Sequence, residues 1–237
     1  MARIAGIDAL RGTAIVMMIA YHLFIDLDFF RVLSVDLSGL GWILFQRTIA
    51  FMFLFVAGIS LALMEGRKKG RWEYLKRAAM LGTVALLITA VTWIYPHERF
   101  IMFGIIHLIA ASTLIAPMFL RLGLWNVFFG FLLIAAGFFL GTAPAHGTDY
   151  LFFLGINSPG YWPLDYYPLI PWFGIILLGI YAGQRFIARN AEKIANARGD
   201  RLIDRLAFLG RHSLLIYLIH QPILAALILA WEFAARI

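Results

Sequence analysis

The chain contains no cysteine. That excludes disulfides, thiolate metal sites and a cysteine nucleophile, and it leaves the redox compartment open. Charge is scarce too: 14% of the 237 residues are Asp, Glu, Lys or Arg, against roughly 25% in soluble globular domains. Acidic residues are the scarcer kind, 13 against 20 basic ones, for a net charge of +7. The basic residues fall in loops between apolar spans, where topology alone requires them, and nothing resembles a nucleic-acid-binding module. The six histidines include no His-x-x-x-His pair or comparable ligand spacing, so no metal is expected.

What is abundant is apolar surface. Hydrophobic residues make up 62% of the chain and the mean hydropathy is +0.85, well beyond the roughly 45–50% apolar content of a soluble domain. Seven apolar stretches, 11–30, 40–64, 77–95, 100–120, 124–142, 166–186 and 208–233, approach or exceed the ~20 residues that cross a bilayer as a helix. The runs are continuous rather than alternating, which points to helices and not to a barrel. The first is interrupted by His22 and Asp26 with no small-x-small cleavage pattern after it, so it reads as a retained span. The expected fold is all-α: a polytopic membrane protein of about seven transmembrane helices, with residues 1–237 as one domain.

Orientation follows from the cations. Sixteen of the twenty Lys and Arg residues, including Arg67, Lys68, Arg71 and Arg77 between spans two and three, fall on one side of the seven-span arrangement. By the positive-inside rule that side is cytosolic, with the N-terminus inside and the C-terminus outside. Those basic loops serve topology, and the short 67–77 segment is also the better placed to hold a phosphorylated cytosolic ligand.

Ionisable groups at membrane depth are costly and by default mark function. His22 lies eleven residues after Arg11, about three turns and roughly 16 Å along nearly the same helix face. Asp26 follows one turn later. Arg47, His107, His220 and Gln221 are expected at mid-to-outer depth on other spans. Pro222, which lacks a backbone donor, marks a site for a kink. Each polar group also has a purely structural reading, as a snorkelling Arg, a hydrogen-bonded core histidine or a helix-stabilising pair. The functional reading of Arg11 and His22 is directional. A guanidinium at the cytosolic edge binds phosphate, and an imidazole deeper on the same face, oriented by the Asp26 carboxylate, serves as general base. A ligand with a phosphate-rich head and a long thin arm fits that spacing, and acyl-coenzyme A has that shape. A proton-coupled permease and a non-enzymatic scaffold are the alternatives, because intramembrane His, Asp and Arg also build proton relays and paired networks.

The opening Gly6-Ile7-Asp8-Ala9-Leu10-Arg11-Gly12, with His22 eleven residues beyond Arg11, resembles the Arg-x10-His motif of the transmembrane acyltransferase superfamily. That superfamily includes bacterial polysaccharide O-acetyltransferases and heparan-α-glucosaminide N-acetyltransferase. The ordered segments Phe53–Ser60, Phe103–Ala110, Tyr167–Trp172 and Gly210–Pro222 resemble the prokaryotic branch related to the catalytic domain of the latter. The resemblance implies transfer of an acetyl group from cytosolic acetyl-CoA to an extracytoplasmic glycan or similar acceptor, in a prokaryotic plasma membrane. His22, with Asp26, would be catalytic. Arg11, Arg67, Lys68, Arg71 and Arg77 would hold coenzyme A. Arg47, His107, His220 and Gln221 are candidates for substrate or oxyanion contacts. The partners implied are acetyl-CoA, the acceptor and the bilayer, with homo-oligomerisation open.

Overall fold

The computed structural model describes residues 4–66, 70–142, 150–157, 163–187 and 201–235. Among them the regular structure is helical: α1 (Ala5–Phe29), α2 (Leu40–Gly66), α3 (Arg71–Ile94), α4 (Ile105–Ile115), α5 (Trp125–Thr142), α6 (Leu169–Ala182), α7 (Arg201–Arg211) and α8 (Ser213–Ala235). Helices α1, α2, α3 and α8 are long and apolar enough to cross a bilayer. The helices at expected spans four, five and six are apolar but shorter, at 11, 18 and 14 residues. At 1.5 Å per residue even the longest of these three covers about 27 Å of a ~30 Å hydrocarbon core.

Of the helix boundaries that depart from the expected spans, two fall in the basic segments. Helix α3 begins at Arg71, six residues before the expected start of span three, so Arg71 to Arg77 is helical rather than loop. Expected span seven is two helices, because the chain turns at His212. The first of them, α7, is amphipathic: Arg201, Asp204, Arg205 and Arg211 are exposed while Ala207 and Gly210 are buried. Its charged residues recur at helical spacing, so a stretch that looks like a basic loop by composition is the polar face of a helix. Helix α8 runs on through Pro222.

The chain divides into two compact units, one comprising Leu54–Asn190 and the other Ala2–Phe53 with Ala191–Ile237. In the first, the central unit, small residues set the helix contacts, as is usual where lipid removes the hydrophobic drive for helices to associate. A Cβ on Gly58 would stand 2.2 Å from the Ile176 carbonyl oxygen, and one on Gly179 2.2 Å from that of Phe55. These glycines let α2 and α6 approach backbone to backbone, with Leu54, Ile176, Leu177 and Ile180 fully buried. The N-terminus of α4 is capped by a distant side chain: Ile105 N–H donates to Asp165 Oδ2 at 2.9 Å, satisfying one of the orphan donors of a first helical turn.

In the second, the terminal unit, residues 40–53 of α2 pack with α1 and α8, and α7 packs on α1. Its core centres on Ile15, Met18 and Ile49, with Phe45, Phe53, Ile216 and Tyr217 against it. Helices α1 and α7 meet through Gly12 and Gly210. The turn between α1 and α2 is held by acidic side chains. Asp28 Oδ1 accepts the Val35 N–H at 3.0 Å, and Asp36 Oδ1 accepts both the hydroxyl and the N–H of Ser38. The Ser38 hydroxyl, and then its N–H, hold the Asp36 carboxyl below the usual carboxylate range.

Candidate active site

Helix α1 is continuous from Ala5 to Phe29, so Arg11 and His22 ride on one rigid element at the separation expected from sequence. The terminal unit brings two side chains of α8, His220 and Gln221, to two of α1, His22 and Asp26. The imidazoles of His22 and His220 stand edge to face, with centroids 4.8 Å apart and planes at 69°. Gln221 Nε2 donates to Asp26 Oδ1 at 2.6 Å. Asp26 and His220 are buried, and His22 and Gln221 partly so.

Hydrogen bonding assigns the tautomers. His22 Nδ1 lies 2.9 Å from the Met18 carbonyl, one helical turn back. A carbonyl can only accept, so Nδ1 carries the hydrogen and Nε2 keeps its lone pair. His220 Nδ1 lies 2.7 Å from the Tyr217 carbonyl, and the same reasoning leaves its Nε2 as an acceptor. Asp26 orients Gln221 rather than His22: the hydrogen bond that positions the His22 ring comes from its own helix backbone. Asp26 Oδ2, Gln221 Oε1 and His220 Nε2 are buried without a hydrogen-bond partner among the described residues. Together with His22 Nε2 they are a cluster of acceptors. Buried acceptors left unpaired cost roughly 1–3 kcal/mol each.

Arg11 sits at the contact of α1 with α7. Its Nη1 donates to Asp8 Oδ1 at 3.1 Å and approaches the Gly210 carbonyl at 3.5 Å. The side chain is about one-fifth exposed and Asp8 is nearly enclosed. The close approach of Gly12 to Leu206 and of Gly210 to Asp8 holds the guanidinium there. Arg47 belongs to the same unit, exposed on α2.

His107, Arg71 and Arg77 belong to the central unit. His107 is the opposite tautomer to His22. Its Nδ1 accepts the Gly104 N–H at 3.2 Å, so Nε2 carries the hydrogen and donates to Thr89 Oγ1 at 3.0 Å. The Thr89 hydroxyl passes its own hydrogen to the Ile101 carbonyl at 2.7 Å. Both ring nitrogens of His107 are therefore engaged in tying α3 to the start of α4. Arg71 is exposed on a groove of about 440 Å³, lined also by Trp72, Tyr74, Leu114 and Met118. Arg77 is half-buried. Arg67 and Lys68 lie outside the described residues. Among the described residues no group of three His, Cys, Asp or Glu is placed to hold a metal.

Four contributors to the site went unrecognised in the sequence. The Met18 and Tyr217 carbonyls set both tautomers, and they could have been anticipated as the i−4 and i−3 positions of the two histidines. Gly12 and Gly210 set the bed of Arg11, and the only hint is that each flanks an arginine. A family model described as heparan-alpha-glucosaminide N-acetyltransferase, catalytic, matches residues 3–222. No curated protein and no solved structure matches the chain.

Proposed function

The chain belongs to the heparan-α-glucosaminide N-acetyltransferase catalytic family, a family of membrane acetyltransferases with acetyl-CoA as general donor, and on that premise we propose that it carries an acetyl group from the cytosolic to the extracytoplasmic side. The donor is cytosolic acetyl-CoA. The acceptor is a hydroxyl or amine of an extracytoplasmic glycan or a similar molecule. The seven apolar stretches form the spanning array in a prokaryotic plasma membrane, with the N-terminus inside and the C-terminus outside, in line with the cation distribution.

The observation that carries this reading is the lone pair on His22 Nε2, fixed by the Met18 carbonyl and set among unpartnered acceptors. An attacking N–H or O–H brings the hydrogens that this cluster lacks. His22 takes the proton as the acceptor attacks the thioester carbon; the new C–N or C–O bond forms, the C–S bond breaks, and coenzyme A leaves. The same nitrogen is free to attack the thioester first and form an acetyl-histidine. Asp26, held by Gln221, accepts a hydrogen bond from another N–H or O–H of the acceptor molecule and takes no proton from it. The developing oxyanion needs donors rather than acceptors, and Arg47, a donor-only side chain of the same unit, is assigned that role. Arg11, Arg71 and Arg77 contact the donor's phosphates, for which guanidinium is suited by its planar fork. Arg67 and Lys68 join them on the basic-loop argument alone.

The test is His22→Ala with two readouts. Acetyl transfer to an amine or hydroxyl acceptor is abolished. Stabilisation of the purified protein by acetyl-CoA persists, about 2.7 kcal/mol at one hundred times Kd. Near-parent turnover in His22→Ala removes His22 from the reaction. Arg11→Ala is expected to weaken donor binding, and unchanged donor affinity would overturn its assignment.

A further inference from the structure

We propose that His220 is the positioning residue of this site and forms with His22 a pair that holds one proton, His220 Nε2 accepting the Nε2–H that His22 acquires from the acceptor. The inference rests on the acetyl-transfer reading above. It starts from the geometry of two rings whose Nδ1 atoms are both spent on backbone carbonyls, of Met18 and Tyr217. Neither neutral ring has a hydrogen left to offer the other. Two acceptors 4.8 Å apart at the centroids gain nothing from adjacency until one of them is protonated.

The groups that face the pair sharpen this. Tyr21 packs edge-on to His22 with centroids 5.8 Å apart, and Tyr217 lies at 5.8 Å from His220. Asp26 is engaged at Oδ1 by Gln221. The neighbouring part of α2 brings Trp42 and Phe45 against Tyr21, and its cation, Arg47, is exposed. Once His22 has taken a proton, the charge sits among aromatic rings, with two buried and unpartnered acceptors on the neighbouring side chains: Asp26 Oδ2, one turn along its own helix, and His220 Nε2, on the ring packed against it. Sharing the hydrogen spreads the charge over both imidazoles and holds the His22 ring in the plane set by Met18. The proton count closes. The acceptor loses one hydrogen to the pair, the pair returns it to the sulfur of coenzyme A, and both rings end neutral. His220 touches neither substrate. Its Nδ1–H is committed to Tyr217, so in the neutral ring it has no hydrogen for an oxyanion, and the proposal gives it the positioning role in place of the substrate or oxyanion contact expected from sequence.

The experiment compares His220→Phe with the parent and with His22→Ala. Phenylalanine fills the ring's space without a lone pair. The expected result is a kcat lowered about a hundredfold, in the range of general acid–base contributions, with KM for acetyl-CoA and for acceptor within about twofold, since binding groups are untouched. A kcat within threefold of the parent overturns the pair. If His22→Ala is inactive while His220→Phe is not impaired, the pair fails and the acetyl-transfer reading stands. If His22→Ala is active, that reading fails as well. Should His220→Phe not fold, ¹⁵N NMR of histidine-labelled parent protein decides. Both rings are expected to carry hydrogen on Nδ1 and none on Nε2 at neutral pH, and a hydrogen on His220 Nε2 overturns the proposal.

Discussion

Gly12→Ala probes the contact that places Arg11. A methyl carbon on Gly12 would stand 1.9 Å from the Leu206 carbonyl oxygen, 2.7 Å from its carbon and 3.1 Å from the Gly210 nitrogen. All three are backbone atoms of α7, so no side chain can swing aside, and the helix itself must withdraw by roughly 1 Å before the contact reaches even the tight end of packing distances. Over-packing of this kind costs about 1–3 kcal/mol, and a gap of that width along the rest of the interface forfeits a quarter to a half of each dispersion contact. Alanine's better helix propensity returns about 1 kcal/mol. The net expectation is a loss of about 2 kcal/mol, a factor of roughly 30 in the folded-to-unfolded ratio. Gly82→Ala in α3 is the matched control: nothing lies within 4 Å of its Cβ, so the change is expected to stabilise by about 0.5–1 kcal/mol. Both are read by reversible unfolding of the purified protein in one detergent. Because Arg11 Nη1 reaches the Gly210 carbonyl, the retreat of α7 also releases one of its partners, and donor affinity is expected to fall in Gly12→Ala and to hold in Gly82→Ala. Equal stability of Gly12→Ala and parent would refute the close approach of α1 and α7.

Gln221→Leu is expected to cost about 1–3 kcal/mol, because Asp26 Oδ1 loses its buried donor, and to lower acetyl transfer beyond what the stability loss explains; unfolding midpoints and initial rates on the same preparation check both. Thr89→Val leaves the Nε2–H of His107 unpaired and frees the Ile101 carbonyl, with an expected loss of about 1–3 kcal/mol and kcat unchanged; a fall in kcat at full folding would give that histidine a part in the chemistry.

The helices were legible where length and hydropathy act within one segment. The apolar run around Arg11 and His22 predicts a helix, and α1 carries both residues on one axis. Legibility failed where a basic stretch hid a helical period, as in α7, and where hydropathy alone placed a helix start too late, as in α3. The polar residues divided similarly. His22, Asp26, His220 and Gln221 stood out as costly groups at membrane depth, and so did His107. His107 differs locally from His220, because it is the third residue of α4 and its Nδ1 takes the Gly104 N–H, whereas His220 lies inside α8.

What the sequence by itself determined is which side chains share a helix, because a 3.6-residue period and a 1.5 Å rise are properties of any helical segment. Only the tertiary structure decided their partners. Asp26 found Gln221, 195 positions away, instead of the histidine one turn behind it. His22 and His220 came ring against ring, each with Nδ1 spent on its own helix, while His107 spent both nitrogens on its own unit. The physical reason is that a side chain's hydrogen-bond partner, and with it the nitrogen that stays bare, depends on which helix packs alongside, and helical period carries no information about that.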